Sequence, residues 1–288
     1  MTRQRHGARK RDGSEAAGTP STAAGRARNH YLFGSHPREA DRLDLLHFSL
    51  REAIGVNHVA PLEHPSRIFD SCSGSGQWCA DLAEAFPEAM VVGLDLQAPK
   101  VVGGDGLIFL RGNVLTGLPF ADGAFDFTHQ RLTVAAIPMH GCVPLVEELV
   151  RVTRPGGWVE LAESPMWLSN TGEATDRLLE LIAALAERAG LDNSDVLFRL
   201  LEGFLEQAGL TDVSRRAFTV PIGDWGGRAG SLMASNYRTG WLRLADRFAS
   251  EFHQPLRQMH ELIERFGEEC EEHETVFNLA VAVGRKPG

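Results

Sequence analysis

A loop of small residues connects an apolar segment to a helix-like segment in the first third of the chain. Residues 70–76 read Asp-Ser-Cys-Ser-Gly-Ser-Gly and directly follow the apolar segment 68–70. Small residues let the backbone turn sharply and approach a ligand closely, and the free N–H groups at a helix start attract electron-rich groups. The pattern indicates a loop that cradles a nucleotide-like ligand, although an ordinary tight turn would have the same composition.

An acidic residue, Asp95, ends the next apolar segment about 25 residues after Asp70. A carboxylate at this place in a nucleotide-binding sheet can accept hydrogen bonds from both ribose hydroxyls. A solvated acid at a strand end is the alternative interpretation. Gln77 and Trp78 follow Gly76, so the third glycine of the dinucleotide fingerprint is missing. The spacing therefore disfavours a dinucleotide oxidoreductase.

The elements that must position these residues alternate between strand and helix, which is typical of a parallel sheet covered by helices. A Pro-Gly-Gly stop at residues 155–157 is expected to separate the third predicted helix from the fifth predicted strand. Strands are predicted at residues 68–70, 90–95, 107–110, 125–128, 158–162, 214–221 and 275–284. Helices are predicted at residues 38–53, 77–86, 143–153, 175–190 and 195–208, with a mainly helical insertion at 225–272.

Four further segments follow the loop in a fixed order: Gly112-Asn113-Val114, Leu118-Pro119-Phe120, Phe125-Asp126-Phe127 and residues 147–157, which read Glu-Glu-Leu-Val-Arg-Val-Thr-Arg-Pro-Gly-Gly. With the loop and Asp95, they make residues 66–163 resemble the class I S-adenosylmethionine-dependent methyltransferases. The resemblance implies a Rossmann-like α/β fold with a mostly parallel seven-stranded sheet, helices on both faces, an N-terminal helical lid and a helical insertion before the last strand. Flanking segments, including Val220-Pro221-Ile222-Gly223-Asp224-Trp225, are similar to the LaeA-like branch known from fungal secondary metabolism.

The resemblance also implies which residues hold the cofactor. Asp95 would bind the ribose, and Asn113 would meet the adenine edge between Leu96 and Val114. The residues implied to cradle the methionine part are Asp70, Ser71, Cys72, Ser73, Gly74 and Gly76. Gln97 is also implied at the cofactor. So are three residues just past the fourth predicted strand: His129, Gln130 and Arg131. Tyr31 and Arg42 would close the pocket.

Cys72 departs from the family pattern, because a glycine usually stands at this position. If the position requires a positive φ, a cysteine there costs free energy. If the position requires only a small side chain, a cysteine is tolerated. The substitution bears on how tightly the cofactor is held.

The implied activity is transfer of a methyl group (EC 2.1.1) from S-adenosylmethionine, with S-adenosylhomocysteine as product, to a small and largely apolar metabolite of secondary metabolism. Positioning supplies much of the catalysis, and a general base is needed only when the nucleophile must lose a proton. His129, His140 and Tyr237 are candidate bases, and each is equally compatible with a packed or solvated side chain. A cofactor-binding regulatory protein and a cyclase-like enzyme that does not transfer methyl groups are the alternatives.

Composition restricts the partners of this chain. Its 288 residues carry a formal net charge of −9, which argues against binding to nucleic-acid phosphates or to anionic membranes. The four cysteines form no CxxC pair, as expected for reduced thiols in the cytoplasm, and no residue spacing indicates a metal site.

The domain organisation predicted from composition is a disordered tail over residues 1–29 and one domain over residues 30–288. Within that domain, residues 30–60 form the helical lid and residues 225–272 the insertion. Aromatic and methionine residues in the insertion could line an acceptor pocket, fill a small core of their own or cover a homodimer interface.

Overall fold

The structure, a computed structural model, describes residues 30–34, 36 and 38–288. The tail predicted for residues 1–29 lies outside the described residues. Within the described part of the chain, seven strands form a single sheet: β1 (Arg67–Ser71), β2 (Met90–Asp95), β3 (Leu107–Arg111), β4 (Phe125–Arg131), β5 (Thr153–Glu163), β6 (Thr211–Pro221) and β7 (Val276–Arg285).

Seven α-helices occur in the same part of the chain: α1 (Glu39–Ile54), α2 (Gln77–Ala85), α3 (Met139–Val152), α4 (Glu173–Ala189), α5 (Val196–Gln207), α6 (Gly227–Glu251) and α7 (Leu256–Glu272). Two short 3-10 helices cover Val114–Thr116 and Asp224–Gly226. No helix among the described residues is long and apolar enough to span a membrane.

The strand order is β3-β2-β1-β4-β5-β7-β6. The first five strands pair in parallel, whereas β7 runs antiparallel to both β5 and β6. The chain builds outward from β1 to β3 and then returns to the other side of β1 with β4. Ligands bind at such a reversal point, beyond the carboxyl ends of the strands. Asp70 on β1 lies beside His129 on β4 at this point.

Successive residues of each strand point to opposite faces of the sheet, and helices cover both faces. Phe69 belongs to the core shared with α3 and α5, whereas Ile68 belongs to the core shared with α2. Helices α4, α6 and α7 form a third core on the same face as α2, with β7 beneath them. Phe69 and Ile68 are fully buried, and burying a side chain of this size contributes about 1.5–3 kcal/mol.

Several element boundaries differ from the predictions. Strand β4 continues to Arg131, so His129, Gln130 and Arg131 lie within the strand and not past its end. Helix α3 begins at Met139 and includes Pro144, although the predicted helix began at residue 143. Proline fits the first turn of a helix well, which explains the late predicted start.

The Pro-Gly-Gly segment does not separate a helix from a strand, because β5 already begins at Thr153. The pairing of β4 with β5 jumps there, from Phe125 opposite Thr153 to Phe127 opposite Trp158. Gly156 has a φ of 76°, a left-handed conformation that glycine adopts without strain. The three residues therefore form an irregularity inside the strand.

Candidate functional site

A cavity of about 280 Å³ lies at the carboxyl edge of the sheet and extends beneath α1 and α6. Its size is close to the lower end of the range for small-molecule pockets. Polar residues from the ends of β1, β2 and β4 line one half, and apolar residues from α4, α6 and β7 line the other. We call these the polar half and the apolar half.

The loop after β1 forms the floor of the polar half. The N–H of Ser73 donates to the carbonyl of Leu94 over 3.1 Å, and the N–H of Gly76 donates to the carbonyl of Ser73 over 3.0 Å. Cys72, Gly74 and Gly76 have φ values of 60°, 56° and 85°. A Cβ on Gly76 would lie 2.7 Å from the Phe109 ring. This loop therefore folds as a tight cradle that requires glycine at its last position.

Asp95 ends β2 at the side of this cradle. Its Oδ2 accepts from the N–H of Gly74 at 3.0 Å, and its Oδ1 accepts from the N–H of Gln97 at 2.9 Å. Burial raises the pKa of Asp95, and these backbone hydrogen bonds oppose the shift. A carboxylate oxygen can accept more than one hydrogen bond, so both oxygens retain capacity for a ligand's hydroxyl groups.

Asn113 lies at the far end of the polar half and caps the short helix Val114–Thr116. Its Oδ1 accepts from the N–H of Leu115 at 3.0 Å. Its Nδ2 forms no hydrogen bond to a described residue and thus remains available as a donor. Val114 is buried beside it, while Leu96 is 44% exposed.

Asp70 and His129 form a buried pair between β1 and β4. The Nδ1 of His129 lies 2.8 Å from Oδ1 of Asp70, and the Cys79 thiol contacts the other carboxylate oxygen at 3.4 Å. The imidazole stacks on the Trp78 ring with centroids 3.8 Å apart. The other ring nitrogen, Nε2, has no hydrogen-bond partner among the described residues.

Arg131, at the end of β4, connects to α1 and α2 through His47. Its guanidinium donates to Nδ1 of His47 over 3.2 Å, and Nε2 of His47 lies 3.0 Å from Asp81. Burial, together with the charge of Arg131, lowers the pKa of His47. Although burial raises the pKa of Asp81, hydrogen bonds from His47 and Arg51 bring it down to about 2. Neutral His47 therefore bridges a cation and an anion.

Helix α1 closes the cavity through a buried ion-pair cluster. Arg42 donates to Glu39 over 2.7 Å and to Oδ1 of Asn236 on α6 over 2.7 Å. Glu39 also contacts Tyr31 and Arg243. Two guanidinium groups thus face one carboxylate, and Arg42 is 6% exposed. The cluster ties α1 to α6 and makes this corner of the cavity electropositive.

The insertion residues serve two purposes. Tyr237 and Trp241 line the apolar half. Other large residues of α6 and α7 lie in the core behind them and do not line the cavity: Phe248, Met259 and Phe266. Aromatic side chains of the insertion therefore line part of the cavity and also form a hydrophobic core of their own.

Glu163, at the end of β5, holds the turn that follows β4. Its carboxylate accepts from the N–H and the hydroxyl of Thr133 at 2.7 and 2.6 Å, and from the N–H of Val134 at 3.3 Å. Burial raises the pKa of Glu163 to about 7 against these hydrogen bonds. Thr133 and Val134 line the cavity, so the carboxylate shapes the pocket from behind.

Most of the residues predicted at the cofactor line this single cavity: Tyr31, Arg42, Asp70, Cys72, Ser73, Gly74, Asp95, Leu96, Gln97, Asn113, Val114, His129 and Arg131. Ser71, Gly76 and Gln130 do not line it. Of the candidate bases, His129 and Tyr237 do, while His140 is exposed on the first turn of α3. The described residues contain no group of three or more His, Cys, Asp or Glu residues that could hold a metal ion.

Sequence reasoning missed several residues that line the cavity. These include Phe33, Trp78, Thr133, Ser164, Leu179 and Asn236. They come from six separate parts of the chain and belong to no motif. Asn236 carried no signal either, because the polar residues Ser235, Arg238 and Thr239 surround it in the sequence.

Comparison with known proteins finds similarity to methyltransferases. Residues 68–157 match the family described as a methyltransferase domain. The N-methyltransferase sirN of Leptosphaeria maculans is 24% identical over 272 residues, which cover 90% of this chain and 95% of the relative. The N-methyltransferase tcpN of Claviceps purpurea (strain 20.1) is 29% identical over 203 residues, covering 65% and 71%. The chain is thus similar to methyltransferases, both in the matched domain and, for the first of these relatives, along most of its length.

The fold agrees with that family. A solved structure from Anabaena variabilis ATCC 29413, described as a candidate methyltransferase from an antibiotic biosynthesis pathway, superposes with a TM-score of 0.50 at 15% identity. The superposition covers 81% of this chain and 96% of that one. The predicted seven-stranded class I methyltransferase fold is confirmed. Membership of the LaeA-like branch stays a prediction.

Proposed function

We propose that this chain is a class I methyltransferase that transfers a methyl group from S-adenosylmethionine to a small, largely apolar metabolite of secondary metabolism. One observation carries the proposal: a single cavity joins a polar half, which contains Asp95 and Asn113, to an apolar half beneath α6. Residues of the polar half would hold the cofactor, and the apolar half would hold the acceptor. Both reactants would then lie in one enclosed space.

The residues of the polar half fit the cofactor. Asp95 would accept hydrogen bonds from the ribose hydroxyls, and Nδ2 of Asn113 would donate to the adenine edge. The cradle of residues 72–76 would hold the methionine part together with Arg42 and Tyr31. Asp70 lines the cavity and holds Nδ1 of His129 at 2.8 Å, so it would meet the methionine part and also position His129.

S-adenosylmethionine, when bound, supplies an electrophilic methyl group on a sulfonium. The contribution of the protein is to hold the acceptor in line with that group and to exclude water. A neutral amine can attack with its own lone pair, and relatives named as N-methyltransferases favour a nitrogen as the acceptor atom. Where a proton must leave, His129 is the better candidate base, because its free Nε2 belongs to a side chain that lines the cavity.

The same relatives favour methyl transfer over the regulatory and cyclase-like alternatives, since they are named for that activity and match along most of this chain. The cytoplasmic location, the homodimer and the lack of nucleic-acid, membrane and metal partners stay predictions from composition and residue spacing.

The proposal is tested first by calorimetric titration of the full chain with S-adenosylmethionine. We expect binding with a Kd well below about 1 mM, weakened about tenfold or more by Asp95→Asn, because charge-assisted hydrogen bonds are lost. Asp122→Asn is the matched control: Asp122 has an 82% exposed side chain paired with Arg151 and does not line the cavity.

The second step supplies methyl-labelled S-adenosylmethionine and an apolar metabolite extract to the same proteins. Release of S-adenosylhomocysteine with label in an extract component is the expected result. Binding without turnover across a broad acceptor panel would support the regulatory or cyclase-like alternative. A wild-type Kd weaker than about 1 mM would contradict the proposal outright.

A further inference from the structure

We propose that Tyr237 determines acceptor specificity by donating a hydrogen bond from its hydroxyl to a carbonyl-type oxygen of the methyl acceptor. The inference rests on the proposed function, because it assigns the acceptor to the apolar half of the cavity. It adds a chemical requirement that an apolar wall alone does not impose: the acceptor must carry an electron-rich oxygen at a fixed place.

Tyr237 lies on α6 within an aromatic group. Its ring centroid is 5.9 Å from that of Trp241, 6.1 Å from that of Phe266 and 6.4 Å from that of Phe277. Tyr237, Trp241 and Phe277 line the cavity. The packing fixes the direction of the phenol ring and therefore the place of its hydroxyl.

The Tyr237 hydroxyl forms no hydrogen bond to any residue in the described part of the chain. It is also absent from the enclosed polar side-chain atoms without a partner, which among the described residues include atoms of Asp44, Gln130, Asp195 and Trp241. The hydroxyl is therefore accessible, and it belongs to a side chain that lines the cavity. Leaving a hydroxyl unpaired against an apolar ligand costs free energy, so a ligand oxygen that pairs with it is favoured.

The hydroxyl acts as a donor and not as a base. Burial raises the pKa of Tyr237, and the smaller opposing effect of Arg42 does not reverse the shift. The phenol thus keeps its proton over the physiological range. A neutral phenol can orient an acceptor, whereas it cannot take a proton from one.

The charges around Tyr237 select the kind of partner. Arg42 acts on the phenol electrostatically and donates to Asn236, the residue before Tyr237. Arg42 and Arg243 outnumber Glu39, so the corner is electropositive. An electron-rich oxygen is favoured there, while an ammonium group is repelled.

The rest of the apolar half limits the size and polarity of the acceptor. Phe33, Leu179, Ile182 and Trp241 line it. Gly240, one turn from Asn236, allows the segment before α1 to approach α6 closely, because a Cβ at this position would lie 3.1 Å from the Phe33 ring. A flat apolar compound with one carbonyl group matches these surroundings.

The test uses two probes of similar shape, acetophenone and ethylbenzene, which differ by the carbonyl oxygen. Each is titrated into protein saturated with S-adenosylhomocysteine, for wild type and for Tyr237→Phe, which removes only the hydroxyl. We expect the variant to bind acetophenone about threefold to tenfold more weakly and ethylbenzene within about twofold of wild type.

Ser235→Ala is the matched control, because it removes a hydroxyl from an exposed residue of α6 that does not line the cavity. It should leave the ratio of the two affinities unchanged. Equal changes for both probes in Tyr237→Phe, no change for either, or failure of wild type to bind acetophenone overturns the inference. Failure to bind S-adenosylhomocysteine would overturn the proposed function instead, so the two failures are distinguishable.

Discussion

Cys72 has a left-handed backbone conformation, with a φ of 60°, at the position where the family carries glycine. A residue with a Cβ costs about 1–2 kcal/mol in this conformation. Among the described residues, the thiol has no hydrogen-bond partner beyond the Ser71 hydroxyl at 3.9 Å. The sequence already raised this question, and the structure answers it: the position requires a positive φ.

We therefore expect Cys72→Gly to be more stable than Cys72→Ala by about 1 kcal/mol. Both variants remove the thiol, but only glycine relieves the backbone. Urea denaturation of the two proteins measures the difference. An alanine variant as stable as the glycine variant would show that the loop relaxes without cost.

Glu163 provides a second prediction at the residue scale. Burial raises its pKa from 4.5 to about 7, so the folded state holds the proton more tightly than the unfolded chain does. The free energy of unfolding should therefore fall as the pH rises from about 4.5 to about 7, by up to about 3 kcal/mol at 1.4 kcal/mol per pKa unit.

Glu163→Gln removes the titrating group while keeping one oxygen acceptor for Thr133. The variant should lose this part of the pH dependence, which is measured as the difference between the wild-type and variant unfolding free energies from pH 5 to pH 8. A difference that stays constant with pH would mean that Glu163 is ionised throughout.

Motif spacing located Asp95 and Asn113 because both follow strands at fixed distances from the loop. The spacing did not indicate that Glu163 contacts Thr133 or that His47 contacts Arg131. Thr133 is 30 residues from Glu163, and His47 is 84 residues from Arg131. Such pairs depend on how separate elements dock, which no local pattern encodes.

At the scale of elements, two contacts of different strength hold α1 over the cavity. Arg42 donates a buried hydrogen bond to Asn236 on α6. Lys100 forms exposed ion pairs with Asp41 and Asp44, both at 2.7 Å. Buried hydrogen-bonded charges are costly to disrupt, whereas exposed ion pairs contribute little.

Arg42→Met should lower the free energy of unfolding by about 2–4 kcal/mol, because Asn236 and Glu39 lose a buried donor. Lys100→Met, the matched control, should leave it nearly unchanged. Amide hydrogen exchange should show faster exchange across α1 in the first variant alone. Similar behaviour of both variants would mean that packing, and not the ion-pair cluster, holds the helix.

The element order was predictable because each strand and helix has a strong local pattern, and β2 matches its predicted bounds in full. The ends of β4 and α3 were not, because the backbone at those ends pairs with other elements. His129 remains in β4 through pairing with Glu160 on β5. Met139 begins α3 with an N–H that donates to the carbonyl of Gly190 over 3.0 Å.

At the scale of the whole molecule, one aromatic core serves both stability and the site. Trp241 and Phe266 are both buried, and their ring centroids lie 6.1 Å apart. Trp241 lines the cavity, whereas Phe266 lies behind it. The two residues therefore allow the stabilising role of this core to be separated from its role as a pocket wall.

Trp241→Phe and Phe266→Leu should each lower the free energy of unfolding by about 1–3 kcal/mol, since each leaves space in a packed core. Only Trp241→Phe should also weaken acetophenone binding, by about threefold to tenfold, because it removes apolar surface that the ligand contacts. Denaturation and titration in the presence of S-adenosylhomocysteine provide the two readouts. Equal weakening of acetophenone binding in both variants would mean that the position of Trp241 depends on the packing around Phe266. Helices α6 and α7 would then respond to core substitutions as one unit.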